Sequence, residues 1–464
     1  MTAPGSSAVE AGPQPAFTST IRIRLRAPSR MRNLELPLLL LACAINAGAI
    51  LLVQLGALGH LDGSLATLGF GLSALVFGMH VALRVVATDA DPFILPIATV
   101  LNGLGIAMIY RIDLAEGTEG WAMASIRQIA WTAIALTLAI AVVCLLRNHR
   151  VLYRFRLTFA LAGIVLLVLP VFFRPVNGAN IWVQLGPFSF QPGEIGKIAL
   201  AIFFAGFLVT ARDSLSMIGR RFLFLTFPRA RDLGPILVVF AASMGVLVFQ
   251  KDLGTALLYF GLFLVMLYVA TGRASWILLG LGLFVGGAFA ASRVLSYVGG
   301  RIDAWLDAFN PAVYDATGGS YQLVQGLFGL SSGGIIGTGL GLGRPDITPL
   351  AESDYIIASL GEELGLVGIF AILVLYLLLV SRGFRIGFAG SDDFGRLLAV
   401  GLAFVIGLQV FIVIGGVTRV IPLTGLTTPF LAAGGSSLVA NWIIVALLLR
   451  LSDTVRHQPR TVIE

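Results

Sequence analysis

The chain has 464 residues, 57% hydrophobic and only 12% charged, with a mean hydropathy of +0.94. Soluble domains carry about 25% charged residues, which excludes a soluble globular protein. The formal net charge of +7 reflects loops on one face of a membrane and is no sign of nucleic-acid binding.

In chain order, residues 1–35 are Pro-, Ser- and Ala-rich and then Arg-rich, and read as a disordered basic cytoplasmic tail without a cleavable signal. Twelve apolar stretches follow, at 36–58, 65–86, 93–111, 124–146, 157–173, 193–211, 233–249, 253–271, 275–291, 355–381, 395–416 and 428–450. Runs of about 18–25 apolar residues are long enough to cross a bilayer as helices. They predict an all-α polytopic membrane protein with about twelve transmembrane helices and one long extracellular loop, 292–355. Residues 454–464 form a second cytoplasmic tail. Cys43 and Cys144 fall inside apolar runs and read as small buried hydrophobes, with no disulfide or metal role.

Lys and Arg set the orientation. With both termini inside, 22 of the 31 basic residues face the cytoplasm, and the bias holds loop by loop. Nine stay outside: Arg111, Arg127, Arg174, Lys197, Lys251, Arg293, Arg301, Arg344 and Arg419. The 174–193 loop, the Gln250-Lys251-Asp252 turn and the 415–428 loop share that outer face.

Polar chemistry gathers there. Pro192, Glu194 and Lys197 open the sixth span, either as a capped helix with a local ion pair or as the lining of a site that opens outward. Asp252 reads as the cap of the eighth span. Asp354, where the 292–355 loop enters the tenth span, is either a helix cap or the acid of a site. Nearby Glu352, the Gly-rich run from Gly333 to Gly343 and the cations Arg301 and Arg344 favour a site. Two turns further in, Glu362 and Glu363 cannot both face lipid. Glu362 either lines a polar cavity or pairs with a cation of another helix. The Gly-rich run lacks a preceding strand and a following Gly-Lys-Ser/Thr, which excludes nucleotide binding. Gly434 to Ser437 read as close helix packing.

Five segments, in order, resemble the SEDS family of bacterial membrane proteins, the RodA/FtsW class: GANIWVQLGPFSFQPGEIGKIAL, FQKDLGTALL, YQLVQGLFGLSSGGIIGTGLG, SDYIIASLGEELGLVG and IPLTGLTTPFLAAGGSSL. The layout is most like actinobacterial RodA-type members, with extra helices before the family's usual ten. The resemblance implies additional N-terminal transmembrane helices within 36–111 and a catalytic membrane domain over 112–453. It also implies a glycosyltransferase that polymerises lipid II into glycan strands, as donor and acceptor and with inversion, during cell elongation. Its expected partners are a class B penicillin-binding transpeptidase, lipid II and polyprenyl diphosphate lipids. Asp354 matches the essential acid of the family's Leu-Pro-Glu-x-His-Thr-Asp-Phe pattern, which reads here Thr348 to Tyr355, with Leu350 and Glu352 replacing Glu and His. The family's paired arginines before Trp182 are Asn180 and Ile181.

On this reading Asp354 is the base that takes the acceptor hydroxyl proton, or else a ligand to a divalent cation such as Mg2+ or Mn2+. Arg301, Arg344 and Lys197 are the diphosphate partners, and Gln322, Glu194, Glu362 and Trp182 line the substrate site. The rival readings are a lipid II flippase and a cell-division member of the same family.

Overall fold

Long apolar runs become helices because lipid offers no partner to backbone N–H and C=O groups, so each segment must satisfy its own. The computed structural model describes residues 31–457 except 64–65, 176–178, 186–187, 217–220, 223–224, 227–229 and 317. The expected tails therefore lie mostly outside the described residues. α1 (Met31–Leu58), α2 (Ala66–Val86), α3 (Ile94–Glu116) and α4 (Ala124–Leu145) come first, then the short α5 (Arg150–Arg154) and α6 (Arg156–Val168). An antiparallel hairpin of β1 (Val183–Leu185) and β2 (Phe188–Phe190) leads into α7 (Pro192–Ser216). A second hairpin, β3 (Arg221–Phe222) and β4 (Leu225–Thr226), precedes α8 (Ala230–Phe249). α9 (Leu253–Thr271) and α10 (Ser275–Val294) follow, then α11 (Ser296–Leu306), α12 (Pro311–Tyr314) and α13 (Tyr321–Gly333). α14 (Ile356–Ala389), α15 (Asp393–Val417) and α16 (Gly435–His457) close the fold.

Among the described residues, ten helices are long and apolar enough to cross a membrane. This is a multi-pass helical membrane protein. The two other expected spans, 157–173 and 233–249, coincide with shorter apolar helices, Arg156–Phe172 and Leu237–Phe249. In the first, the α-helix gives way at Leu169–Phe172 to a tighter 3-10 turn that contains Pro170. The stretch 292–355 is also more ordered than a loop: α11, α12 and α13 occupy much of it.

The helices sort by burial. α3, α7, α15 and α16 are buried along most of their length, whereas α10 turns Leu278, Leu281 and Phe289 outward. At the centre, Trp442 of α16 meets Phe430 edge to face, with ring centroids 5.9 Å apart, and its indole N–H donates to Asn102 Oδ1 at 2.8 Å. Where α16 ends, Asp91 accepts from Arg456 at 2.6 Å and pairs with Arg382 at 3.6 Å, and Arg450 donates to the carbonyls of Val86 and Leu146. These side chains tie that end of α16 to α14 and to the segments at 86–91 and 146.

Candidate active site

At the opposite end, the chain enters α14 through a turn that starts at Leu350. Leu350 has φ +55°, a left-handed conformation, and its carbonyl accepts from Ser353 N and Tyr355 N. Gln322 of α13 braces the turn by donating to Pro349 O at 2.9 Å. Asp354 follows. Tyr355, not Asp354, occupies the N-cap position of α14, and no side chain caps that helix. Asp354 is half-buried and accepts no hydrogen bond from a described residue. The cap reading of this acid therefore does not describe it. Burial raises its carboxyl to about 6, Arg301 opposes the rise, and Glu352 and Asp252 add to it.

Arg301 reaches this point from α11. Its guanidinium donates to Leu423 O at 3.1 Å. The 418–434 segment locks onto α11 through Arg419, which donates to Trp305 O and Leu306 O, and through Trp305 Nε1, which donates to Arg419 O. It locks onto the Leu350 turn through Ala433 N, which donates to Glu352 O at 2.7 Å. Gly425, at φ +76°, brings the backbone close: a Cβ there would lie 3.7 Å from Asp354 Oδ2. The four described non-glycine residues with positive φ are Lys251, Leu350, Arg419 and Phe430, and all belong to the segments that meet here. Backbone strain of this kind concentrates at functional sites.

Beneath lies a second polar layer. Asp252 caps α9 by accepting from Thr255 N at 2.9 Å, as its sequence position predicts, and is also near enough to act on the Asp354 charge. Lys197 of α7 is buried and donates to Glu194 Oε2 at 2.6 Å, Gln409 Oε1 at 2.9 Å and Asn441 Oδ1 at 3.5 Å. Its three N–H donors are thereby spent within the protein. Thr427 and Thr428 have buried hydroxyls without a partner among the described residues.

Glu362 and Glu363 do something different. Glu362 accepts from Arg344 N at 2.8 Å. Glu363 accepts from Arg111 Nε at 2.9 Å, Gly341 N at 2.8 Å and Gly343 N at 3.3 Å. Thr338 N and Gly339 N donate to the carbonyls of Glu362 and Glu363. The Gly-rich run is therefore laid along α14, which is broken at Gly365 (φ 68°) to receive it. A Cβ at Gly337 would stand 2.2 Å from Glu363 O, so glycine serves close approach here.

A model of the cell cycle protein family that joins FtsW, RodA and SpoVE matches residues 93–457. The chain belongs to this family. The peptidoglycan glycosyltransferase RodA of Mycobacterium tuberculosis is 45% identical over 440 residues, covering 94% of this chain and 93% of that protein. RodA of Mycobacterium leprae is 43% identical over 450 residues, covering 97% and 95%. Among solved structures, Thermus thermophilus RodA, a rod shape determining protein, aligns with a TM-score of 0.54 at 25% identity, over 80% of this chain and 98% of that one. A chain of a peptidoglycan synthase complex that coordinates polymerization and crosslinking aligns with a TM-score of 0.55 at 25% identity, over 84% and 98%.

Set out in the FtsW/RodA/SpoVE frame, the sequence-derived residues separate. Arg301, and Gln322 through Pro349, converge on Asp354. Glu194 and Lys197 form the buried layer below. Glu362 is buried against Arg344 N, while the Arg344 side chain is exposed and paired with Asp346 at 3.3 Å. Trp182 stands half-buried just before β1, and Asn180 N, two residues earlier, donates to Gln250 O. The family match begins at residue 93, which leaves α1 and α2 ahead of it and places Arg111 within it. Sequence reasoning counted Arg111 among the orienting charges and missed its pairing. Its signal was an arginine inside an apolar helix, which requires an acid partner. Gln409 and Asn441, which hold Lys197, give no such signal: each is a single neutral amide inside an apolar helix, 212 and 244 residues from the lysine.

For a divalent cation the fit is partial. Among the described residues, Asp89, Asp453 and His457 are the group of three ligand-type side chains that converge, and they lie at the far end. Mg2+ is commonly held by one or two carboxylates together with substrate phosphates, and Asp354 suits that use.

Proposed function

We propose that this chain is a peptidoglycan glycosyltransferase that polymerises lipid II at the outer face of the cytoplasmic membrane, in cell elongation, with both termini in the cytoplasm. The observation that carries the reading is Asp354: an acid without a structural hydrogen bond, beside Arg301, in a chain whose relatives are named peptidoglycan glycosyltransferases. A carboxyl near 6 is largely ionised at neutral pH and still basic enough to accept a hydroxyl proton as attack proceeds.

The acceptor sugar hydroxyl attacks the anomeric carbon of the donor, and the carbon–oxygen bond to the diphosphate breaks. Asp354 takes the hydroxyl proton, and the leaving polyprenyl diphosphate carries away the electron pair. One base and one direct displacement give inversion. Arg301 is the first cation for the growing diphosphate charge, and exposed Arg344 is a second. Lys197, with Glu194, fixes α7 against α15 and α16 below the reacting groups. Gln322 positions the Asp354 turn, Trp182 belongs to the substrate wall, and Glu362 anchors the Gly-rich run. Were a divalent cation bound here instead, Asp354 would be one of its ligands and the cation would supply charge to the diphosphate. The partner is a class B penicillin-binding transpeptidase, in keeping with the related synthase complex.

A flippase needs polar groups along a path from both faces. Here the acids and cations of the α16 C-terminal end are tied in pairs, which favours polymerisation. The test gives lipid II to the purified chain with a candidate class B transpeptidase, crosslinking blocked, and resolves products on a gel. A glycan ladder from wild type and none from folded Asp354→Asn is expected. A normal ladder from that variant refutes the assignment. Headgroup movement in liposomes without a ladder from the wild-type complex returns the flippase.

A further inference from the structure

Ahead of the family match, α1 and α2 build a cavity that the proposed reaction does not use. It has a volume of about 330 Å³ and lies between α1, α2, α3 and α4, walled by Ile50, Val76, Ile106 and Leu136. That is within the usual size range of ligand sites, roughly 300–1,000 Å³. Its rim is formed by small residues, Ala47 and Gly69, and by Leu51 and Phe70, which are 46% and 77% exposed. Both rim helices are of membrane-crossing length, and the exposed rim side chains Leu51 and Phe70 are apolar.

One polar atom is out of keeping with the walls. Asn46 donates from Nδ2 to Thr99 O at 2.9 Å. A carbonyl only accepts, so the amide nitrogen must face it and the side-chain orientation is settled. Asn46 Oδ1 is thereby left buried with no hydrogen-bond partner among the described residues. The head of Asn46 sits on Gly103, where a Cβ would lie 1.9 Å from Asn46 Cγ. The other polar wall residues are satisfied: Asn102 bonds Thr132 and Trp442, and Gln54 bonds Asp62. A buried amide oxygen without a donor costs free energy, and a ligand that brings a hydroxyl would offset it.

Depth narrows the ligand. Asn46 is twelve residues before the end of α1 at Leu58, about 18 Å at 1.5 Å per residue. A lipid headgroup at the interface does not reach it. We propose that this cavity binds a hydrocarbon chain of a membrane lipid that carries a hydroxyl along the chain, with the hydroxyl donating to Asn46 Oδ1. The occupied cavity would brace α1, whose Val53 and Gly56 form the seat for Gly341 of the Gly-rich run. The inference stands apart from the glycosyltransferase reading.

The full chain is reconstituted in phosphatidylcholine vesicles doped with a photoreactive phosphatidylcholine whose acyl chain bears a mid-chain hydroxyl, or with its unhydroxylated twin. Adducts are mapped by mass spectrometry on protein that elutes as a folded species in gel filtration. The hydroxylated probe is expected to label α1 and α2 peptides about fivefold more than its twin, the weight of one net hydrogen bond. Asn46→Leu removes that preference. Gly69→Leu and, from the opposite wall, Ala47→Trp suppress labelling by both probes. Equal labelling by the two probes in wild type, or undiminished labelling in folded Gly69→Leu and Ala47→Trp, overturns the proposal.

Discussion

Two groups of acids lie eight residues apart, and the structure treats them in opposite ways. Glu362 and Glu363 are surrounded: backbone N–H groups and Arg111 take up their oxygens, and the result is a weld between α14, α3 and the Gly-rich run. Asp354 receives no such bond and has a raised carboxyl. The lesson is that a carboxylate close to a membrane reveals its task by what the protein leaves undone. A fully bonded acid holds structure, and an acid kept half-buried and unbonded is available for chemistry.

The widest separation between the two is expected from Asp354→Asn. Loss of a general base costs about 10²–10⁴-fold in rate, read as initial rate of strand synthesis from lipid II. Stability moves the other way. The folded carboxyl, near 6, lies above its unfolded value, so ionisation works against the fold as pH rises from about 4 to about 6. Asp354→Asn should therefore melt at or above the wild-type temperature above pH 6 and match it below about pH 4. A variant that melts lower throughout would make Asp354 structural and erase the contrast.

Glu363→Gln is the mirror experiment. It leaves Arg111, 7% exposed, without its counter-charge. Removing one partner of a buried pair costs about 3–5 kcal/mol, so thermal unfolding in detergent should show a large drop, with activity lost in proportion to folded protein. An unchanged melting temperature with a selective loss of rate would move Glu363 into the catalytic group. Gly337→Ala tests the weld itself. With φ +87° and a Cβ 2.2 Å from Glu363 O, it should cost roughly 1–3 kcal/mol, seen in the same melt. Arg301→Gln should have the smallest effect on stability. Because Arg301 holds the Asp354 carboxyl down, its loss should shift the acid limb of the pH–rate profile upward from about 6. An unmoved limb would separate the two residues.

Much of the fold was legible because bilayer physics writes it in runs of apolar residues. The ten long helices all sit under expected spans. What escaped was order within the polar stretch 292–355: α11 and α13 are short and mixed in composition, and tertiary contacts with the 418–434 segment and the Leu350 turn hold them. For the proposed site, Asp354 and Arg301 stand out in the sequence because polar residues next to an apolar span are conspicuous. Lys197 at a helix start fitted either a local ion pair with Glu194 or a substrate contact; the pair is present, and only the fold brings Gln409 and Asn441, 212 and 244 residues away in sequence, to the same ammonium. The double identity of Asp252, at once cap and neighbour of Asp354, is likewise invisible to local reading.

The break at Gly365 has a mechanical meaning. α14 is two rods, and across the gap Leu366 N and Val367 N turn sideways to the carbonyls of Gly334 and Ile335. The rod that starts beside Asp354 receives Thr338 N and Gly339 N on its last carbonyls, and the rod after Gly365 is fastened to the same run by its first N–H groups. The break at residue 365 is thus bonded to the Gly-rich run on both sides, so the course of the rod that carries Asp354 is set by that run as well as by the bilayer.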